Sequence, residues 1–140
     1  MRALVQRVSR ASVSAGGEPV AAIGAGLVVL LGVTHADDEA TADRLAAKVA
    51  ALRIFGDAEG RMNEPLGGRE VLCVSQFTLY GDTWSGNRPS WAEAAPAAHA
   101  EPLYERFCDA LQAQRGVFGA AMAVELVNDG PVTLLLEAGG

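Results

Sequence analysis

The segment Asn128-Asp129-Gly130-Pro131-Val132-Thr133 constrains this chain most. It joins two apolar runs, 122–127 and 132–136, both of which read as strands. Asn, Asp and Gly favour the left-handed backbone of a tight reversal, and Pro fixes φ just after it. The spacing therefore predicts a hairpin. An X-Pro amide favours trans by only about 0.5–1 kcal/mol, so the sequence leaves either isomer open at Gly130-Pro131. The turn carries carbonyls and a rigid ring but no reactive side chain.

The chain has 140 residues, half of them hydrophobic, which suits one domain, 1–140, with a sizeable core. Its net charge is −6, and Lys48 is its one lysine against ten arginines. Non-specific nucleic-acid affinity comes from neutralising phosphates, so a general nucleic-acid binder is excluded. Any contact with RNA has to be local. Cys73 and Cys108 form no CxxC, which argues against a disulfide framework or a zinc site. The N-terminal residues lack the apolar core of a signal peptide, and the run 26–33 is too short to span a bilayer. The expectation is a soluble, cytoplasmic protein with no membrane partner.

Residues 2–14 read as a long strand. On it, Arg7 shares its parity with Ala3, Val5, Ala11 and Val13, the more apolar face. A cation there must reach water or find acceptors, because an unpaired buried charge is costly. Gly16-Gly17 predicts a hairpin into 19–23. The continuously apolar 27–33 predicts a central strand buried on both faces. Acidic Asp37, Asp38 and Glu39 open a helix whose Ala42, Leu45, Val49 and Leu52 recur at helical spacing. Residues 56–63 read as a polar loop, 71–78 as a strand, and 81–88 as a second polar loop carrying Trp84 and Arg88. Ser90 and Glu93 form a capping-box pattern. A second helix, about 97–114, places Leu103, Phe107 and Leu111 on one face, with Pro102 either kinking it or sitting in its first turn.

Chemistry is sparse. His35 and His99 fall in no nucleophile or metal motif and read as surface or capping residues. Cys73 lies in an apolar strand that offers nothing to stabilise a thiolate. Ser75-Gln76-Phe77-Thr78 stands out, because an apolar strand turns polar at its C-terminal end, where sites are commonly built. With regular strand geometry, Ser75 and Phe77 face one way and Gln76 and Thr78 the other. Residue types alone stop at a soluble mixed α/β domain.

Ser-Gln-Phe-Thr-Leu-Tyr at 75–80 and Val-Asn-Asp-Gly-Pro-Val-Thr at 127–133 together resemble the two signature motifs of D-aminoacyl-tRNA deacylases. The resemblance extends to 3–13, Leu-Gly-Val at 31–33, Arg-Ile-Phe at 53–55, Met62-Asn63 and Arg88-Pro89-Ser90, and so covers essentially the whole chain. It departs from the family's pattern at Ala121, at Trp84-Ser85, and in shorter links at 64–68 and 115–118.

The resemblance implies an α/β fold in a three-layer β/β/α arrangement of mostly antiparallel sheets with two helices, assembled as a homodimer. It implies hydrolysis of the ester joining a D-amino acid, or mischarged glycine, to the acceptor end of tRNA, with no cofactor and no metal. Thr78, Ser75 and Gln76 then fall at the reacting ester, and Phe77 and Phe118 line the pocket. Gly130 and Pro131 form a cis turn inserted into the partner subunit's pocket, where carbonyls occupy the space an L side chain needs. Arg7 and Asn128 support that turn. Thr78 has no activating histidine or lysine placed by sequence, so the expected mechanism orients the ester and a water, with backbone N–H groups stabilising the oxyanion. Two other readings remain open at this point. One is a same-fold editing deacylase with a trans Gly-Pro acting on a small L-aminoacyl-tRNA; the other is a non-catalytic RNA-end binding module.

Overall fold

The first strand, β1 (Arg2–Ala15), is the seam of the fold in the computed structural model, which describes residues 1–139. Along one edge it pairs antiparallel with β3 (Gly26–Gly32) over residues 2–8 and with β2 (Glu18–Ile23) over residues 11–15. Along the other edge it pairs with β8 (Met122–Glu137) over nearly its whole length. Beyond β3 lie β6 (Glu70–Ser75) and β7 (Gln114–Arg115), both joined in parallel. Two helices, α1 (Glu39–Ala51) and α2 (Ala97–Leu111), cover one face, and β4 (Phe55–Gly56) with β5 (Met62–Glu64) form a small separate ribbon.

Two hydrophobic clusters make this a three-layer β/β/α molecule. The larger joins Ala3, Val5, Leu27, Val29, Leu31, Val71 and Cys73 to Leu45 and Val49 of α1 and Tyr104 and Phe107 of α2. The smaller lies on the opposite face and joins Val8, Ala11, Val13, Ile23, Val28 and Leu72. Strand alternation explains why β3 feeds both: Leu27 and Val29 face the helices, while Val28 faces away. The expected single apolar face of β1 does not hold. Register irregularities between Gln6 and Arg10 shift its parity, so Ala3 and Val5 face the helices while Ala11 and Val13 enter the second cluster.

The helices follow their sequence signals in part. Asp38 caps α1, its carboxylate accepting from the Thr41 N–H at 2.9 Å. Ala42, Leu45 and Val49 are buried as expected. The capping box does not form. Ser90 instead bridges to Asp82; α2 starts at Ala97 as expected but ends at Leu111, ahead of the expected 114, where Gln114–Arg115 form β7. Pro102 sits inside α2, beyond its first turn.

The largest correction concerns the last strand. The runs 122–127 and 132–136 do not pair with each other. Both pair antiparallel with β1, in a register broken between Gln6 and Arg10. Between Gln6↔Thr133 and Val8↔Asn128, β1 advances two residues while β8 advances five. The surplus leaves the sheet as a protruding loop, with Gly130 at φ +128° and the Gly130–Pro131 peptide bond cis.

Candidate active site

The strand expected over 71–78 ends at Ser75, and Phe77–Tyr80 form a turn of 3-10 helix. This overturns the expected alternation of Ser75 and Phe77 against Gln76 and Thr78. The chain leaves the sheet where β3 ends: Gln76 N–H donates to the Leu31 carbonyl at 2.8 Å. Gly32 permits the crossing, because a Cβ there would lie 3.1 Å from both the Gln76 carbonyl and the Leu79 Cβ. Arg2 holds the turn from beneath, donating to the Leu79 carbonyl at 2.8 Å with its guanidinium 4.4 Å from the Tyr80 ring centroid. Burial, ahead of nearby carboxylates such as Asp37, pushes the Tyr80 hydroxyl up to about 12.

This turn borders a cleft of about 210 Å³. Ser75, Phe77 and Phe118 line it, with Leu31 and Val33 as floor and Ala97 and Ala100 of α2 as wall. The structure thus brings together three residues singled out from the sequence. Gln76 and Thr78 do not line the cleft but bond to each other beside it, Gln76 Nε2 donating to Thr78 Oγ1. Phe77 is half exposed and meets Trp91 edge-on at 5.2 Å, a contact sequence reading missed. The alanines of 94–98 are the sequence signal for the wall: a run of small side chains leaves room for a ligand.

No titratable side chain lines the cleft. His35 Nε2 and His99 Nε2 lie 2.7 Å and 2.8 Å from the carbonyls of Ala92 and Asp37, so both tie loops together. Cys73 is fully buried, and burial holds its thiol well above the usual range, which rules it out as a thiolate nucleophile. No cluster of potential metal ligands occurs among the described residues. Ser75, with its hydroxyl, and Phe77, first residue of the 3-10 turn, bring polar donors to the cleft lining; a 3-10 turn leaves its first backbone N–H groups, those of Phe77 and the neighbouring Thr78, without intrahelical acceptors.

Gly130 and Pro131 are not part of this cleft. Arg7 pairs with Leu27 at one end of β3, whereas Ser75 pairs with Leu31, four residues further along, or about 13 Å. The loop is nonetheless fixed. Arg7 Nε donates to the Asp129 carbonyl at 3.1 Å and Nη1 to the Ile54 carbonyl at 2.7 Å. Asn128 Oδ1 accepts from the Val132 N–H at 3.2 Å, and its Nδ2 donates to Thr133 Oγ1 at 2.9 Å. An arginine on an apolar strand face is thereby satisfied by carbonyls, as one of the sequence readings required.

Comparison with known proteins agrees with this architecture. The sequence profile described as D-Tyr-tRNA(Tyr) deacylase matches residues 4–137. The D-aminoacyl-tRNA deacylase of Symbiobacterium thermophilum is 57% identical, covering 99% of this chain and 96% of its own. That of Thermus aquaticus is 54% identical over 99% and 95%. Among solved structures, a c-Myc DNA unwinding element binding protein superposes with a TM-score of 0.94 at 41% identity, over the full length of both chains. A probable eukaryotic D-amino acid tRNA deacylase, 15% identical, shares the fold with a TM-score of 0.83 over 96% of this chain and 97% of its own. Profile, relatives and fold converge over nearly every residue, and the chain belongs to the D-Tyr-tRNA(Tyr) deacylase family, hydrolases that act on aminoacyl-tRNA.

Proposed function

We propose that the protein hydrolyses the ester of D-aminoacyl-tRNA, and of mischarged glycyl-tRNA, in a cleft completed by the Gly130-Pro131 loop of a second subunit. The observation that carries this reading is the separation of a braced loop from its own chain's cleft. A rigid protrusion held by Arg7 and Asn128 does not line the cleft of its own subunit. It reaches such a cleft if it enters a neighbour.

The edge beside the loop supports such a neighbour. β8 is bonded to β1 on one side only, and it exposes Val124, Val127, Leu134 and Leu135. A 16-residue edge strand with apolar side chains is a surface that soluble proteins normally cover. A homodimer covers it and delivers each loop to the other chain.

In this arrangement the terminal adenosine lies against Phe77 and Phe118, with the ester near Ser75, Gln76 and Thr78. Loop carbonyls occupy the volume that an L side chain needs; a D side chain points elsewhere, and glycine has none. Selectivity thus comes from excluding the wrong isomer. Water attacks the ester carbonyl, and the Phe77 and Thr78 N–H groups stabilise the oxyanion. The acyl C–O bond then breaks, the amino acid leaves as its carboxylate, and the ribose oxygen regains a proton. Positioning of an already activated ester supplies most of the acceleration.

The test is release of amino acid from D-Tyr-tRNA, L-Tyr-tRNA and Gly-tRNA, together with the mass in light scattering. D-Tyr and Gly release by a dimer, with L-Tyr spared, is expected. Equal release of both tyrosine isomers, or a monomer with full selectivity, would refute the cross-subunit reading. Tight binding without release would instead make the protein a binding module.

A further inference from the structure

Trp84 is 96% exposed, far more than any other large apolar residue among those described, the next being Met62 at 60%. It is not on a loose segment. Asp82 and Ser90 close the stem of its loop with two backbone hydrogen bonds, at 2.9 Å and 2.8 Å. The Asp82 carboxylate accepts from the Trp84 N–H at 2.9 Å, and the Gly86 N–H donates to the Thr83 carbonyl. The backbone therefore holds the indole out in water.

The stem of this loop stands on the rim of the cleft. Gly81 lies under the Trp91 ring so closely that a Cβ would come within 2.6 Å of it. Trp91 packs on Phe77, and Phe77 lines the cleft. Trp84 is two residues beyond Asp82, at most about 7 Å of chain. Phe77 and Trp91 thus lead from the cleft to the stem of the loop that carries Trp84.

Arg88 lies in the same loop, two residues before Ser90. Among the described residues it has no ion pair and no hydrogen bond, a state it shares with Arg44; Arg2, Arg7, Arg10, Arg61, Arg69, Arg106 and Arg115 each have a carboxylate partner, and Arg53 bonds to Asn63. In a chain of net charge −6, an uncommitted guanidinium in the same short loop as an exposed indole is a local site for a group with one flat apolar face and one negative charge. An unpaired nucleotide is such a group. Its base stacks on an aromatic ring, and its phosphate accepts the guanidinium.

We propose that Trp84 and Arg88 form a platform for the unpaired nucleotides that precede the terminal adenosine of the tRNA acceptor end, Trp84 stacking on a base and Arg88 binding a phosphate. This rests on the reading that the cleft takes the terminal adenosine. The platform contributes substrate binding remote from the ester. It acts on whole tRNA and not on a substrate that ends at the adenosine.

The experiment compares D-Tyr-tRNA with adenosine esterified by D-tyrosine, using wild type, Trp84→Ala, Trp84→Phe and Arg88→Ala. For Trp84→Ala we expect KM on D-Tyr-tRNA to rise about ten-fold, with kcat within about two-fold. On the adenosine ester its kcat/KM stays at the wild-type value. Trp84→Phe recovers most of the loss, because a phenyl face still stacks. Arg88→Ala reduces the slope of log KM against log salt by about 0.7, the loss of one single-strand phosphate contact. Unchanged KM on tRNA overturns the proposal. So does an equal loss on both substrates, or a fall in mass in light scattering, which would make Trp84 a subunit contact. If wild type hydrolyses neither substrate, the functional reading fails and this inference fails with it.

Discussion

Arg7 and Asp129 are 122 positions apart, yet Arg7 Nε donates to the Asp129 carbonyl at 3.1 Å. The same guanidinium reaches the Ile54 carbonyl, so one side chain ties β1, the β8 loop and the segment after α1. Lysine does not reproduce this, since its three donors sit on one nitrogen, whereas Arg7 uses two nitrogens of a planar fork. Arg7→Lys should preserve folding, with a stability loss of about 1–3 kcal/mol. It should reduce the ratio of D-Tyr to L-Tyr release from charged tRNA. An unaltered ratio would show that the loop does not need this brace.

Asn128 closes the loop with both ends of its amide. Asn128→Asp keeps the acceptor for the Val132 N–H and loses the donor to Thr133; Asn128→Ala loses both. Each net hydrogen bond contributes about 1 kcal/mol. Urea unfolding should therefore order wild type, then Asp, then Ala, in steps of about that size. Chiral discrimination should follow the same order.

Thr78 Oγ1 accepts from Gln76 and has no base beside it. If a positioned water attacks the ester, Thr78→Ala slows release by about ten-fold or less, and no acyl-enzyme forms. Rapid-quench mass spectrometry of the protein with D-Tyr-tRNA checks this. A mass gain of one tyrosyl group would make Thr78, or Ser75, the nucleophile.

Gly26 and Gly24 form a natural pair for testing the sheet. A Cβ at Gly26 would sit 1.8 Å from the Glu70 carbonyl oxygen, where β3 and β6 begin their parallel pairing. At Gly24 the nearest atom is the flexible end of Glu70, at 3.5 Å. Gly26→Ala should cost about 3 kcal/mol or more, because backbone must move. Gly24→Ala should be nearly neutral. Thermal melts of the two variants distinguish them directly.

Asp38 connects acid stability to the cap of α1. The Thr41 backbone N–H, then the Thr41 hydroxyl, hold its carboxyl below the usual 3.8. A depressed pKa contributes stability that is present above the unfolded value and lost as pH falls through the folded one. The loss is therefore confined to pH below about 4. Asn is as good a cap but does not titrate. Asp38→Asn should match wild type in melting temperature at pH 7 and lose less than wild type between pH 4 and pH 2.

The sequence alone determined the elements whose signals are local. A long stretch rich in Val, Ala and Ser marked β1 and apolar runs marked β3 and β6; acidic residues and a 3.6-residue period marked α1; and the polar switch at Ser75 marked the cleft. The paired motifs at 75–80 and 127–133 pointed to the family. Tertiary structure decided what depends on distant partners. Asn-Asp-Gly-Pro reads as a hairpin because turn chemistry is local, but the partner of each flanking run is β1, more than a hundred residues earlier. The parity shift in β1 arises from that same pairing. The strand expected through Thr78 ends early because the end of β3, with Gly32, lets the chain cross over it. Arg7, ambiguous as a lone cation on an apolar face, is resolved by carbonyls that only the folded chain brings within reach. Strand pairing and carbonyl placement are non-local, and a residue pattern carries them only through the fold it produces.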